Sequence, residues 1–155
     1  MEASSLKNFL RPTNIFSIVG IFIPGFTAIV ILLFQMLITF LGVECAFSWN
    51  ILWVVTAFAS IILPIYFFWY ISNTSSSIKK IKTSLTIFNI AEYTFLQASI
   101  GLFFSDGKTL CYVSDGQNGI QFVFTAWLAI PIIIGLSMAF KAILSKRGRI
   151  SPLTP

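Results

Sequence analysis

Apolar residues along this chain gather into four long runs, at 15–41, 51–71, 85–104 and 120–144, and show no strand-like alternation. Crossing a bilayer takes about 20 consecutive, mostly apolar residues as a helix. A spanning segment must satisfy its own backbone hydrogen bonds, which a helix does. The pattern therefore predicts an all-α integral membrane fold: one transmembrane domain over residues 1–155, built as a four-helix up-down-up-down bundle. The connections, 43–50, 72–84 and 105–119, are short, and short connections make successive helices antiparallel neighbours.

Each run carries its own irregularity. In the first, Pro24-Gly25 predicts a kink. The run is too long for a signal-peptide core and no small-residue cleavage site follows it, so it reads as a retained span. Trp49, Trp53, Trp69 and Tyr70 flank the second run, as interfacial aromatics do. Pro64 and Pro131 lie inside the second and fourth runs. Gly20, Gly25, Gly101 and Gly135 offer points where helices approach closely.

Composition agrees with the pattern. Of 155 residues, 57% are hydrophobic and 10% charged, against about 25% charged in ordinary soluble domains. The net charge of +5 arises at the ends of spans. Lys7 and Arg11 precede the first run, Lys79, Lys80 and Lys82 sit between the second and third, and Lys141, Lys146, Arg147 and Arg149 end the fourth. Lys108 alone falls in the other two loops. This bias places both termini on the cytoplasmic or equivalent inner side. No basic stretch is interleaved with aromatics on a solvated face, which excludes nucleic acid as a partner. Lys79, Lys80, Lys82, Lys146, Arg147 and Arg149 are candidate contacts for anionic lipid headgroups or for a partner on the inner face. The one glycosylation sequon, Asn73-Thr74-Ser75, falls on that same side and reads as an unmodified loop.

The chain has no histidine, the commonest general base, metal ligand and haem ligand. No catalytic residue, metal site or cofactor is predicted, although bound lipids or another hydrophobic cofactor would suit so apolar a surface. Cys45 and Cys111 fall one in each outer loop and are a candidate disulfide, with two free thiols as the alternative. Four-span thiol oxidoreductases need a CxxC pair, which this chain lacks. The loop SDGKTLCYVSDGQNG predicts tight turns around a short ribbon over residues 108–113, and its two carboxylates, Asp106 and Asp115, lack calcium-loop spacing.

Glu92 is the ionisable residue deepest in a span, where an exposed charge is costly. With Asn89, Tyr93 and Gln97 it forms a candidate intramembrane polar site, a stripe at helical spacing that should face the bundle. Gln35 is the polar candidate of the first span. Pro24 and Pro64 free the carbonyls of Gly20 and Ser60, and a protonated Glu92 is expected to donate to one of these. A carboxylate paired with a partner's base, and a proton- or cation-coupling site, are the alternatives.

The uncharged second span excludes the membrane glutathione-transferase group, which carries charges on its second helix, and the short VECAFSWN loop excludes claudins. The layout of four spans, inner termini, short loops and a basic tail is similar to MARVEL-type tetraspans, a resemblance of topology alone. The expected function is that of a small non-enzymatic structural or assembly subunit of a larger membrane complex, with other membrane subunits and lipids as partners. The alternatives are a free-standing tetraspan that organises lipid or cargo, and a minimal transporter or channel using Glu92, for which a homo-oligomer is the expected form.

Overall fold

The structure, a computed structural model, describes residues 8–22, 24–73, 78–104, 111 and 117–150, with the side chains at 24–26, 28, 78, 117–123 and 147–150 outside that set. The described residues are helical apart from short turns. They form α1 (Arg11–Phe22), α2 (Pro24–Phe40), α3 (Cys45–Asn73), α4 (Ile78–Phe104) and α5 (Gln117–Ile150). Three helices, α3, α4 and α5, are each long and apolar enough to cross a membrane.

The helix boundaries differ from the hydropathy boundaries for physical reasons. The first apolar run holds two described helices, α1 ending at Phe22 and α2 beginning at Pro24, whose ring removes the backbone donor that would face the Gly20 carbonyl. α3 begins at Cys45 rather than at residue 51, α4 at Ile78 rather than 85, and α5 extends over Gln117–Ile150 rather than 120–144. Lys, Arg, Gln and Ser carry a helix onward as well as many apolar residues do, so the ladder continues where hydropathy stops. α2 ends in a Schellman motif: Gly42, at φ 92°, donates to Thr39 at 2.9 Å, and Val43 donates to Ile38 at 3.4 Å. The positive φ is what glycine supplies there. The ribbon expected at 108–113, the turns around Asp106 and Asp115, and Thr74 and Ser75 of the sequon lie outside the described residues, apart from Cys111.

Packing follows a consistent register. Phe67 of α3 stacks on Phe88 of α4 with ring centroids 4.7 Å apart, and Trp53 lies 6.4 Å from Phe103, so α3 and α4 run antiparallel. Phe140 of α5 completes an aromatic trio, 4.9 Å from Phe67 and 5.2 Å from Phe88. Phe9, Ile71, Ile81, Leu85 and Leu144 close this cluster at the basic end. Tyr93, Ala126, Ala129, Ile130 and Ile133 pack in the middle. At the other end Ile31, Trp49, Leu52, Ala98 and Leu102 pack beneath a disulfide joining Cys45 to Cys111, whose Cα atoms are 5.9 Å apart. Trp49, expected at an interfacial belt, is instead 3% exposed in this cluster, whereas Trp69 is exposed. Among the expected close-approach glycines, a Cβ on Gly20 would meet Tyr93 at 3.6 Å, while one on Gly135 would meet nothing within 4 Å.

Between lipid-solvated helices the hydrophobic effect supplies little, so small side chains, tight packing and interhelical hydrogen bonds hold the bundle. α5 presents Thr125, Ala126, Ala129, Ile133 and Ser137 along its buried stripe. The aromatic pairs add ~0.5–1.5 kcal/mol each beyond their buried area. Hydroxyls that would otherwise stand unpaired in an apolar medium fold back on their own helices. Thr56 donates to the Leu52 carbonyl at 2.8 Å, Thr94 to Ile90 at 2.9 Å and Ser99 to Leu96 at 3.1 Å.

Candidate functional site

α4 carries the largest buried polar side chains of the described residues outside α2. Asn89, Glu92 and Gln97 are fully buried and Tyr93 is 5% exposed, so the stripe at helical spacing faces the interior. These residues do not share one network. Asn89 Nδ2 donates to the Thr13 hydroxyl at 3.0 Å, and Thr13 donates to Ser137 Oγ at 2.9 Å. Ser17 donates to the Thr13 carbonyl at 2.8 Å. One polar chain thus joins α1, α4 and α5 at a level where the first apolar run has barely begun.

Tyr93 belongs to a second group. Its hydroxyl donates to the Gly20 carbonyl at 3.1 Å, and its ring lies edge-on to Phe16 at 5.3 Å. Pro24 frees that carbonyl, and the ring lies where even a Cβ on Gly20 would meet it at an ordinary 3.6 Å. This corrects the expectation for Glu92: the Gly20 carbonyl is taken by Tyr93. Neither Glu92 carboxyl oxygen has a hydrogen-bond partner among the described residues. The α3–α4 register set by Phe67 on Phe88 places Glu92 level with Leu63 and Pro64, in the middle of the bundle. Asn89 Oδ1 and Thr27 Oγ1 are also buried without a hydrogen-bond partner among the described residues.

Gln35 of α2 points inward and is 8% exposed; its Nε2 donates to Thr39 Oγ1 at 3.0 Å and to Cys45 Sγ at 3.0 Å, tying α2 to the disulfide end. Cys45 stands in the first turn of α3, whereas a loop was expected there, and Cys111 bonds it from the segment after α4.

The basic residues lie at the opposite end. Lys79 and Lys80 are exposed in the first turn of α4, Lys82 is half-buried one turn further on, and Lys146 is exposed near the end of α5. Arg147 and Arg149 belong to α5, and their side chains lie outside the described set. Among the described residues no group of three or more His, Cys, Asp or Glu side chains gathers to hold a metal.

Sequence reasoning missed Thr13, Ser17 and Ser137. A signal was present: Thr13, Ser17 and Gly20 recur at helical spacing, and so do Ala126, Ala129, Ile133 and Ser137. Such stripes of small and hydroxylic residues mark close helix contacts in membranes. Comparison with protein-family models, curated proteins and solved structures finds no match for this chain.

Proposed function

We propose that this protein is a four-span, non-enzymatic membrane protein that serves as a structural or assembly subunit of a larger membrane complex, with both termini on the inner side. The observation that carries this reading is the uneven burial of its helices. Half of the membrane-length window of α4 is buried, against 17% of that of α3. α4 is the hub, and α2 and α3 turn large apolar side chains outward: Leu33, Met36 and Phe40 on α2, and Phe58, Ile61 and Ile65 on α3. Such a surface suits lipid and equally suits packing against neighbouring transmembrane helices.

The fourth span is α1 followed by α2. Thr13 sits level with Asn89, Gly20 with Tyr93, and Ile31 packs in the cluster of Ala98 and Leu102, so the two short helices together follow α4 from Asn89 to its disulfide end. The Lys/Arg bias then supports inner termini. Purification of the full chain in mild detergent, with native mass and identification of stoichiometric companions, tests the assignment. A defined larger complex is the expected result. A lone protomer carrying lipid overturns it in favour of a free-standing tetraspan. Reporters fused to either end test the topology, and an outer location of either one overturns it.

A second reading rests on Glu92, fully buried with both oxygens unpartnered among the described residues. Intramembrane carboxyls of this kind serve proton or cation coupling. A homo-oligomer with ion-dependent flux that Glu92→Gln abolishes, in a protein that still assembles, would favour it.

A further inference from the structure

Two adjoining grooves that share Leu63 and Tyr66 run along the outside of α3 and α4. The one nearer the basic end, about 260 Å³, is lined by Leu63, Tyr66 and Tyr70 of α3 and by Ser84, Ile87 and Ala91 of α4. The other, about 560 Å³, is walled by Phe58, Ile62 and Phe95. From Tyr70 to Val54 the two grooves cover roughly 24 Å at 1.5 Å per residue, more than one leaflet's share of a hydrocarbon core about 30 Å thick. Together they are long enough for a whole acyl chain.

The two ends differ in chemistry. The far end is lined by hydrocarbon alone. At the near end the polar side chains of Tyr70 and Ser84 line the wall. Lys80 lies one turn before Ser84 on the same face of α4 and is exposed. Lys79 and Lys80 occupy the first turn of α4, at the positive end of the helix dipole, and that turn contains no acidic residue. The described carboxylates are distant: Glu44 precedes α3 at the disulfide end, and Glu92 is buried mid-bundle. Positive charge therefore accumulates at the mouth of an apolar slot, with no described acid to neutralise it.

We propose that these adjoining grooves bind an anionic glycerophospholipid, with its phosphate at Lys80 and one acyl chain along the seam of α3 and α4 past Ala91 toward Phe58. The site depends only on α3 and α4 crossing the membrane, not on the subunit assignment.

The test uses the full chain in vesicles of equimolar phosphatidylglycerol and phosphatidylcholine with matched acyl chains, followed by extraction and native mass measurement of retained lipid. The expected result is one retained phosphatidylglycerol, preferred about fivefold over phosphatidylcholine, the factor one basic contact supplies at an anionic surface. Lys80→Glu removes that preference. Lys79→Glu keeps it, because Lys79 shares its face with Thr83 and Thr86, away from the groove. Ala91→Phe blocks the slot and removes the lipid with Lys80 still present. Ile87→Trp does the same from an exposed position, so one plugging variant remains if the other fails to fold. Equal retention of the two lipids overturns the proposal. So does equal loss in Lys79→Glu and Lys80→Glu, which marks a diffuse field. Retention of phosphatidylglycerol in a folded plugging variant also overturns it, since a headgroup bound without its chain is only a phosphate site.

Discussion

The hydroxyl of Thr13 accepts from the side-chain nitrogen of Asn89 at 3.0 Å, across 76 residues of sequence, and donates its own hydrogen bond to Ser137 Oγ at 2.9 Å. A residue near the start of the chain thereby locks α1 to the hub helix and to α5 at once. All three residues are buried, so no water competes for these bonds.

Thr13→Val keeps the shape and removes both bonds. Interhelical hydrogen bonds in membranes average ~0.6 kcal/mol each, and a buried donor left unpaired costs ~1–3 kcal/mol. The expected loss is therefore about 2 kcal/mol, read from unfolding in mixed detergent micelles. Adding Asn89→Leu removes the stranded amide and should recover part of it. Strict additivity of the two changes would show that the pair is not coupled.

The Cys45–Cys111 bond closes a separation of 66 residues between the start of α3 and the segment after α4. Chain-entropy arguments give about 4 kcal/mol for such a loop. Helices held in a bilayer are already restricted when tertiary packing is lost, so about half of that is expected on Cys111→Ser. The wild type under reductant should melt with the variant. If reductant leaves the melting temperature unchanged while the variant is destabilised, the loss comes from packing at the serine and not from the bond.

What the sequence made legible was hydropathy and local chemistry. The apolar runs, the carbonyl freed by Pro24 and the inward polar stripe of α4 each depend on residues within a few turns of one another. What stayed hidden required knowing which helix stands against which. Thr13 reads as tail because the apolar run starts after it, yet α1 begins at Arg11 and carries it into the core. The Gly20 carbonyl was recognisable as freed by Pro24, but two side chains one residue apart on α4 competed for it, and the helix rotation that favours Tyr93 over Glu92 is a tertiary property. Trp49 looked interfacial by its place in the run and is buried because the cluster under the disulfide surrounds it.

Gly20 allows a graded test of that contact. A Cβ there would stand 3.6 Å from Tyr93 Cε2 and 3.8 Å from Ile130 Cδ1, ordinary contact distances. Gly20→Ala should therefore be tolerated and, by helix propensity, stabilise by up to about 1 kcal/mol. Gly20→Leu overfills the site, displaces the Tyr93 ring and should cost ~1–3 kcal/mol. Tyr93→Phe isolates the hydrogen bond to the Gly20 carbonyl, with an expected loss near 1 kcal/mol. If Gly20→Leu is as stable as Gly20→Ala, α1 does not pack against Tyr93 as closely as the structure shows.

Glu92 provides the test that separates scaffold from coupling site. Its carboxyl is fully buried and neither oxygen has a hydrogen-bond partner among the described residues. An unpaired buried polar group is a stability cost of ~1–3 kcal/mol, recoverable by an apolar side chain of similar volume. Glu92→Met should thus raise the unfolding midpoint if the protomer's own structure is all that surrounds the carboxyl. A fall in stability, or loss of the larger complex, would instead mean that the carboxyl is satisfied in the membrane by a partner's base or a bound cation. Glu92→Gln then distinguishes these two. It keeps a hydrogen-bonding side chain for a partner subunit and largely preserves assembly, but it removes the negative charge that a cation or coupled proton requires.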